Sequence, residues 1–387
     1  MPRGCAPTAT IGLNVAKLSL ENFALRKPIT LGKVKTYLLW FDSMGAKSSS
    51  MLIETPDIKI MVDPGAAEMQ PSYPLPPAEK KELRQKALAV IREAAQEADI
   101  VFISHYHYDH HTLPSEAPEI YEGKKLWIKD PNLWINQSQW KRARLFLSQF
   151  CQIFKGNMME QVLQPPKEIE IKDPLEDFPL AMGEDFGDYK VRKDELLTKG
   201  KAWFEKLAAL WRSKPWICPF AVGKEEILFA DNKEFRAGST TIRFSPPLFH
   251  GVELDRLGWV ISMVLECQGA KILYSSDLQG PIIEDYADWI VKENPDILIL
   301  DGPATYLLGY MLNQINLRRV ILNISYILQT IKSQIIIYDH HLPRDIHFKE
   351  RMAEVYKIAE REGKTLITAA EWLGVETPNL ESARKSR

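Results

Sequence analysis

The sequence predicts an α/β fold, on three observations. Short, apolar and partly β-branched runs, such as residues 100–103 and, apart from its opening Asp296, 296–300, recur along the chain as strands. Amphipathic helical stretches lie between them. Several strands end in a side chain suited to metal ligation or proton transfer, namely Asp63, His105, Asp277, Asp301 and His340. Sites in open α/β sheets form at the carboxyl ends of strands, so a convergent site is expected there.

Taken in order, residues 34–40 and 50–54 read as strands around the loop 41–49, read first as a plain hairpin loop and second as one that also lends polar groups to a site. Gly45, Lys47 and Ser48 of that loop lack the GxxxxGK[ST] spacing and precede a strand, which excludes a phosphate loop. A third strand, 58–62, ends in Asp63-Pro64-Gly65, where Asp63 suits turn capping. The prolines of 71–77 demand an irregular connection. Residues 77–98 place Leu83, Ala87, Val90, Ile91 and Ala94 on one helical face and lead into the strand 100–103. A strand at 126–129 and a helix at 133–150 follow. The helix carries a basic trio, Lys141, Arg142 and Arg144, read first as a solvated face and second as an anion contact.

From 151 to 220 the pattern is charged and punctuated by prolines. One amphipathic helix, 193–211, carries Trp203, Phe204, Leu207 and Trp211 and suits a helical cap packed on the main body. Strands resume at 226–229, 233–236 and 240–244, then at 258–266 and 270–275 around Cys267-Gln268-Gly269. Helices at 284–292 and 320–332 precede strands at 296–300 and 334–338. The expected organisation is a tail, 1–12, one domain, 13–375, containing the insert, and a polar tail, 376–387.

The chain has 387 residues, 45% hydrophobic and 26% charged, a globular composition with enough length for a sizeable core. A net charge of −2 argues against a whole-surface field for nucleic acid. Cys5, Cys151, Cys218 and Cys267 form no CxxC pair and fit reduced thiols of a cytoplasmic protein. No apolar run reaches membrane-spanning length, and the first ten residues lack the apolar core of a secretory signal. A cytoplasmic location without a membrane partner is therefore expected.

The densest chemistry lies in 100–112, Ile-Val-Phe-Ile-Ser-His-Tyr-His-Tyr-Asp-His-His-Thr. Five potential ligands fall there: His105, His107, Asp109, His110 and His111. The chain has eight histidines, none before His105, and the others are His250, His340, His341 and His347. That is an allocation rather than a scatter. On extended backbone, i and i+2 project to one side, so His105 and His107 can converge on one point. Asp109 and His110, in the turn beyond, can reach a second point close by. Imidazole with carboxylate suits zinc, iron or manganese.

A strand followed by Ser-His105-Tyr-His107-Tyr-Asp109-His110 resembles the HxHxDH signature of the metallo-β-lactamase fold superfamily. Asp63, His250, Asp277 after Ile-Leu-Tyr-Ser-Ser, and His340 after the final strand occur in the superfamily's order. Asp277-Leu-Gln-Gly-Pro, Asp301-Gly-Pro and Asp339-His-His-Leu-Pro-Arg-Asp are similar to an uncharacterised, mainly archaeal family of predicted metallo-hydrolases. The resemblance spans 34–372 apart from much of the insert. It implies a four-layer αβ/βα sandwich of two mixed sheets. It implies one metal on His105, His107 and His250, a second on Asp109, His110 and a terminal histidine, and Asp277 bridging them. Asp63 would orient the histidine loop. His340, directly after Asp339, is favoured over His341 as the terminal ligand. The doublets His110-His111 and His340-His341 each leave one spare imidazole for proton transfer or substrate contact.

Two divalent ions, zinc first and iron or manganese as alternatives, would give a hydroxide nucleophile and polarise the oxygen under attack. Asp109 or Asp277 would steer the water proton, and His111, His341 or Tyr108 would serve the leaving group. Asp301 reads as a strand-end cap, or as a further ligand or base. The expected function is hydrolysis of an ester, lactone or phosphodiester in a small anionic substrate, with Arg142, Arg144, Lys47 and Arg344 as anion contacts. A nuclease or RNA-processing phosphodiesterase is the alternative, disfavoured by the near-neutral charge. A non-hydrolytic metal-binding or redox protein is the third reading.

Overall fold

The computed structural model describes residues 26–155 and 159–375, so the expected tails, 1–12 and 376–387, lie outside the described residues. One sheet has eight strands in the spatial order Ile29–Leu31, Val34–Phe41, Ser49–Glu54, Lys59–Val62, Ile100–Ile103, Lys125–Ile128, Glu225–Phe229 and Phe220–Val222. A second has seven, in the order Glu234–Ala237, Thr240–Phe244, Met263–Cys267, Ala270–Tyr274, Ile297–Asp301, Ile335–Asp339 and Thr365–Ile367. Both are mixed. In each, antiparallel pairs at one side pass into parallel pairs, as at Ile60↔Ile100 and Ile297↔Ile335.

The parallel strands are continuously apolar because both of their faces are covered. Between the sheets, Leu38, Ile60 and Phe102 share a core with Phe244, Ile272 and Ile299. On the outer face of the first sheet, Val101 and Leu126 pack with Ile91 of the helix Pro77–Ala95 and Phe146 of the helix Gln137–Lys155. On the outer face of the second, Leu298 and Ile336 pack with Ile290, Val320 and Val355 of the helices Glu284–Glu293, Gln314–Thr330 and Ala353–Arg361. The layers run helix, sheet, sheet, helix. The helix Pro77–Ala95 opens on proline, whose missing N–H has no intrahelical partner to lose at that position.

The strand expected at 258–266 is interrupted. Trp259–Val260 pairs with Leu248–Phe249, whereas Met263–Cys267 joins the second sheet. Between them the Ile261 N–H donates to the Ser104 carbonyl at 3.1 Å, and Ser262 Oγ donates to the Ser275 carbonyl at 2.5 Å. This link to the histidine loop costs the strand its continuity. The helix expected at 320–332 begins earlier, at Gln314, because the Asn313 side chain accepts the Asn316 N–H at 2.8 Å and caps it. The terminal elements Ala353–Arg361, Thr365–Ile367 and Ala369–Leu373 were not anticipated, although Thr368 and Glu371 form a capping box.

Within the insert, the helix Tyr189–Ser213 lies on the body through Phe204 and Trp211, which pack with Trp134 and Trp259. The Trp211 indole N–H donates to the Ile135 carbonyl at 3.0 Å. Gly200 permits close approach, since a Cβ there would fall 2.6 Å from Leu254 Cβ. Among the described residues no helix is long and apolar enough to cross a membrane.

Candidate metal centre

The histidine loop is seated on the turn that ends the neighbouring strand. Asp63 Oδ1 accepts the Ser104 N–H at 2.7 Å, and Oδ2 accepts the Ser104 hydroxyl at 2.6 Å and the Tyr274 hydroxyl at 2.7 Å. The same Oδ2 lies 2.8 Å from His110 Nδ1. Gly65 presses on the loop so closely that a Cβ would sit 2.3 Å from the His111 nitrogen and 2.5 Å from that of His110.

Two groups of side chains converge on Asp277. His105 Nε2 and His107 Nδ1 are 3.1 Å apart. His250, carried just beyond Leu248–Phe249, places Nε2 at 3.0 Å from Asp277 Oδ2, and His105 Nε2 is 3.5 Å from the same oxygen. On the other side, His110 Nε2 and His340 Nε2 face each other at 3.1 Å, and lie 3.2 and 3.4 Å from Asp277 Oδ1. Asp109 Oδ2 is 3.8 Å from His340 Nε2. Each oxygen of Asp277 thus faces a different triad. His105, His110, His250, Asp277 and His340 are buried, while His107 and Asp109 are half-buried.

These residues fit divalent ions. His250 Nε2 and both Asp277 oxygens are buried without a hydrogen-bond partner, a cost that coordination removes. Within each triad the ligand atoms lie within 4.8 Å of one another, and imidazole with carboxylate is the donor set of zinc, iron and manganese centres.

A supporting layer fixes the rings. Asp42 Oδ1 and the Ser48 carbonyl each lie 3.1 Å from His340 Nδ1. Asp42 Oδ2 accepts the His341 N–H at 2.8 Å and the Arg344 Nε–H. The loop 41–49 therefore does lend polar groups to the site. Asp42 was missed as an individual residue, although it too follows a strand directly. Gln279 Nε2 lies 3.3 Å from His250 Nδ1. Such partners set ring orientation and tautomer.

Burial opposes every charge here; it prevails at His105, His107 and His341, which it lowers well below the usual imidazole range, whereas carboxylate contacts outweigh it at His110 and His340. Burial lowers the His110 pKa, but Asp277 and Asp63 carry it up to about 10. Against the same penalty, Asp42 and Asp277 hold His340 well above the usual imidazole range. Burial raises Asp277, yet His110 and His340 hold it well below the usual carboxylate range.

The spare histidines part company. His341 Nε2 lies 3.6 Å from Asp277 Oδ2, with Nδ1 at 3.4 Å from Asp301 Oδ2. Both His340 and His341 have positive φ, 53° and 47°, a strained conformation for residues with a side chain. Asp301 accepts the backbone N–H groups of Leu278 at 3.0 Å and Gln279 at 2.6 Å, which caps the loop carrying Asp277. His111 is not brought to the cluster. Its Nδ1 lies 2.9 Å from the His107 carbonyl, its ring meets Phe146, and it lines a separate cavity with Arg84 and Glu116.

The basic side chains have mostly structural partners. Arg144 donates to the Pro131 and Pro215 carbonyls at 2.8 Å and stacks on Trp140, so it is a strut rather than an anion contact. Arg142 lies over the ring of Tyr108. Arg344 bonds Asp42 and, at 2.9 Å, Asp109. Lys47 is half-buried, and burial and then Arg344 lower its pKa. Above the centre is a cavity of about 270 Å³, with His107, Asp109, His250, His341 and Arg344 in its wall. Tyr306 also lines it, and no local sequence signal marks that tyrosine.

Residues 45–174 match the description of a beta-lactamase superfamily domain. A UPF0282 protein of Korarchaeum cryptofilum is 33% identical over 346 residues, covering 89% of this chain and 91% of that protein. A UPF0282 protein of Methanopyrus kandleri is 32% identical over 357 residues, covering 89% and 96%. Among solved structures, the metallo-beta-lactamase fold protein YhfI of Bacillus subtilis has a TM-score of 0.40 and 13% identity, over 83% of this chain and 87% of that one. With relatives matched over nearly their whole length, the chain belongs to the UPF0282 family, and its residues 45–174 are similar to a beta-lactamase superfamily domain.

Proposed function

We propose that the protein is a metal-dependent hydrolase cleaving an ester, lactone or phosphodiester bond in a small substrate. The observation that carries this reading is the pair of triads on opposite oxygens of Asp277, beside a cavity of about 270 Å³. His105, His107 and His250 would hold one ion, and Asp109, His110 and His340 the other, with Asp277 between them. Zinc is the ion that a three-imidazole triad suits best. Bound divalent ions supply Lewis acidity toward water and toward the oxygen under attack.

The chain's own residues do the remaining work. Asp109, steadied by Arg344, faces the cavity and orients the attacking water by accepting its O–H. Burial, and then the charges of Arg344 and His340, keep His341 neutral. With Nδ1 toward Asp301, its Nε2 takes the water proton and returns it to the leaving oxygen. The cavity walls include Val252, Leu257, Ile282 and Leu312, which limit water around the reacting bond, and the volume suits a small molecule.

Metal analysis together with hydrolysis of bis-p-nitrophenyl phosphate, a lactone series and thioesters tests the reading. About two ions per chain, with turnover of one of these classes, supports it. Silence across all three classes in metal-replete protein overturns it.

A further inference from the structure

Asp255 is a cavity carboxylate that forms no ion pair among the described residues. It lies in the loop that follows His250 and lines the same cavity as His250, Gln279 and His341. Its Oδ1 accepts the Leu257 backbone N–H at 3.2 Å, and among the described residues it forms no ion pair. The other acidic groups nearby are satisfied differently. Asp42 and Asp109 share Arg344, Asp63 accepts from Ser104 and Tyr274, and Glu253 is paired with Arg319. Burial pushes the Asp255 carboxyl up, and backbone N–H groups and the charges of His250 and Arg256, neither of which forms an ion pair with it, offset this only in part.

The cavity is also polarised across the centre. Arg344 contacts Asp109 on the side of the second triad, whereas Asp255 sits beside His250 of the first. Arg344 is already neutralised by two carboxylates, so an anionic substrate gains little there. A cation entering beside His250 meets an unpaired carboxylate among apolar walls, where the attraction is stronger than in water.

We infer that Asp255 is a specificity-determining residue that binds a protonated amine on the substrate. The hydrolase then acts on amino-bearing esters, lactones or phosphodiesters, with the ammonium held on the His250 side of the centre. The inference rests on the reading of the centre as a metal site. The alternative is that Asp255 merely caps its own turn through the Leu257 amide. Asp255→Asn keeps that acceptor and removes the charge, so it separates the two.

The test is calorimetric titration of the full-length, zinc-loaded protein with butyrohydroxamate and with its 2-amino and 4-amino derivatives. The hydroxamate anchors on zinc, and the derivatives present an ammonium at two spacings. The expected result is that at least one amino derivative binds about tenfold or more tightly than the parent. Asp255→Asn should erase that preference while leaving the parent's affinity, the zinc content and the melting temperature unchanged. Equal affinities in the wild type, or a preference retained in Asp255→Asn, overturn the inference alone. Failure of the protein to take up zinc overturns the metal reading and the inference with it, whereas failure of all three hydroxamates to bind zinc-loaded protein overturns the inference alone.

Discussion

Asp63 Oδ2 lies 2.8 Å from His110 Nδ1 and also accepts the hydroxyls of Ser104 and Tyr274. One carboxylate therefore ties the histidine loop to both sheets, since Tyr274 ends a strand of the second. Asp63→Ala should weaken zinc binding by about 10–100-fold through the unsupported ring of His110. It should also cost about 1–3 kcal/mol for each buried donor left unpaired. Competition with a chromophoric chelator reads the first effect and urea unfolding the second; unaltered zinc affinity would contradict the orienting role.

The two triads should empty separately. His107→Ala removes a ligand from the group with His105 and His250, and His340→Ala from the group with Asp109 and His110. Each variant is expected to lose about one of two ions and its hydrolytic turnover. Metal analysis by mass spectrometry after exhaustive dialysis decides the matter. A full complement of ions in either variant refutes the corresponding triad.

Gly65→Ala is expected to be more damaging than a surface change of one methyl. The added Cβ would meet backbone atoms of His110 and His111 rather than the end of a mobile side chain. The loop must shift, at about 1–3 kcal/mol for an overpacked site. Lower thermal stability should appear together with lower zinc content, and a variant matching wild type in both would contradict the close seating.

On the proposed reading, His341 serves turnover whereas its neighbour His340 retains metal. His341 could also form a ligand group with Asp277 and His340, but neither proposed triad includes it, so His341→Ala should keep its ions yet lose about 10²–10⁴ in kcat. If that variant loses metal instead, His341 is a ligand, as its 3.6 Å approach to Asp277 would then mean.

Glu253 provides a pH-dependent test. Arg319 Nη2 lies 2.7 Å from Glu253 Oε1, and Lys193 of the insert helix lies 3.4 Å from the same oxygen. Burial opposes the charge, but Arg319 and Lys193 hold the Glu253 pKa below the usual range. A depressed folded pKa means stability that is present above the unfolded value of about 4.3 and lost as pH falls through the folded one. Arg319 keeps its bonds to Glu284, so Glu253→Gln should cost about 1–3 kcal/mol near pH 7, a difference that narrows below about pH 4. Denaturant unfolding across that range checks it, and a constant difference would contradict the pairing.

Much of this was legible locally. The runs at Ile100–Ile103 and Thr240–Phe244 announce strands at their observed bounds, because a buried strand's apolar continuity is a property of adjacent residues. The strand Thr365–Ile367 is three residues long, too short for any period to show. The break at Ile261 was invisible because its cause, the Ser104 carbonyl, lies far away in the chain.

By itself the sequence determined the α/β class, the convergence of His105 with His107, and the supply of carboxylates and imidazoles at strand ends. These rest on the periods of extended and helical backbone, which neighbouring residues encode. Tertiary structure alone decided which rings meet. His110 reaches His340 across 230 positions of sequence, a pairing set by which strands adjoin. His110 and His111 both donate their backbone N–H to the His107 carbonyl, at 3.0 and 3.2 Å. That tight turn sends one imidazole to Asp277 and the other against Phe146, and no property of two identical adjacent residues distinguishes them before the chain folds.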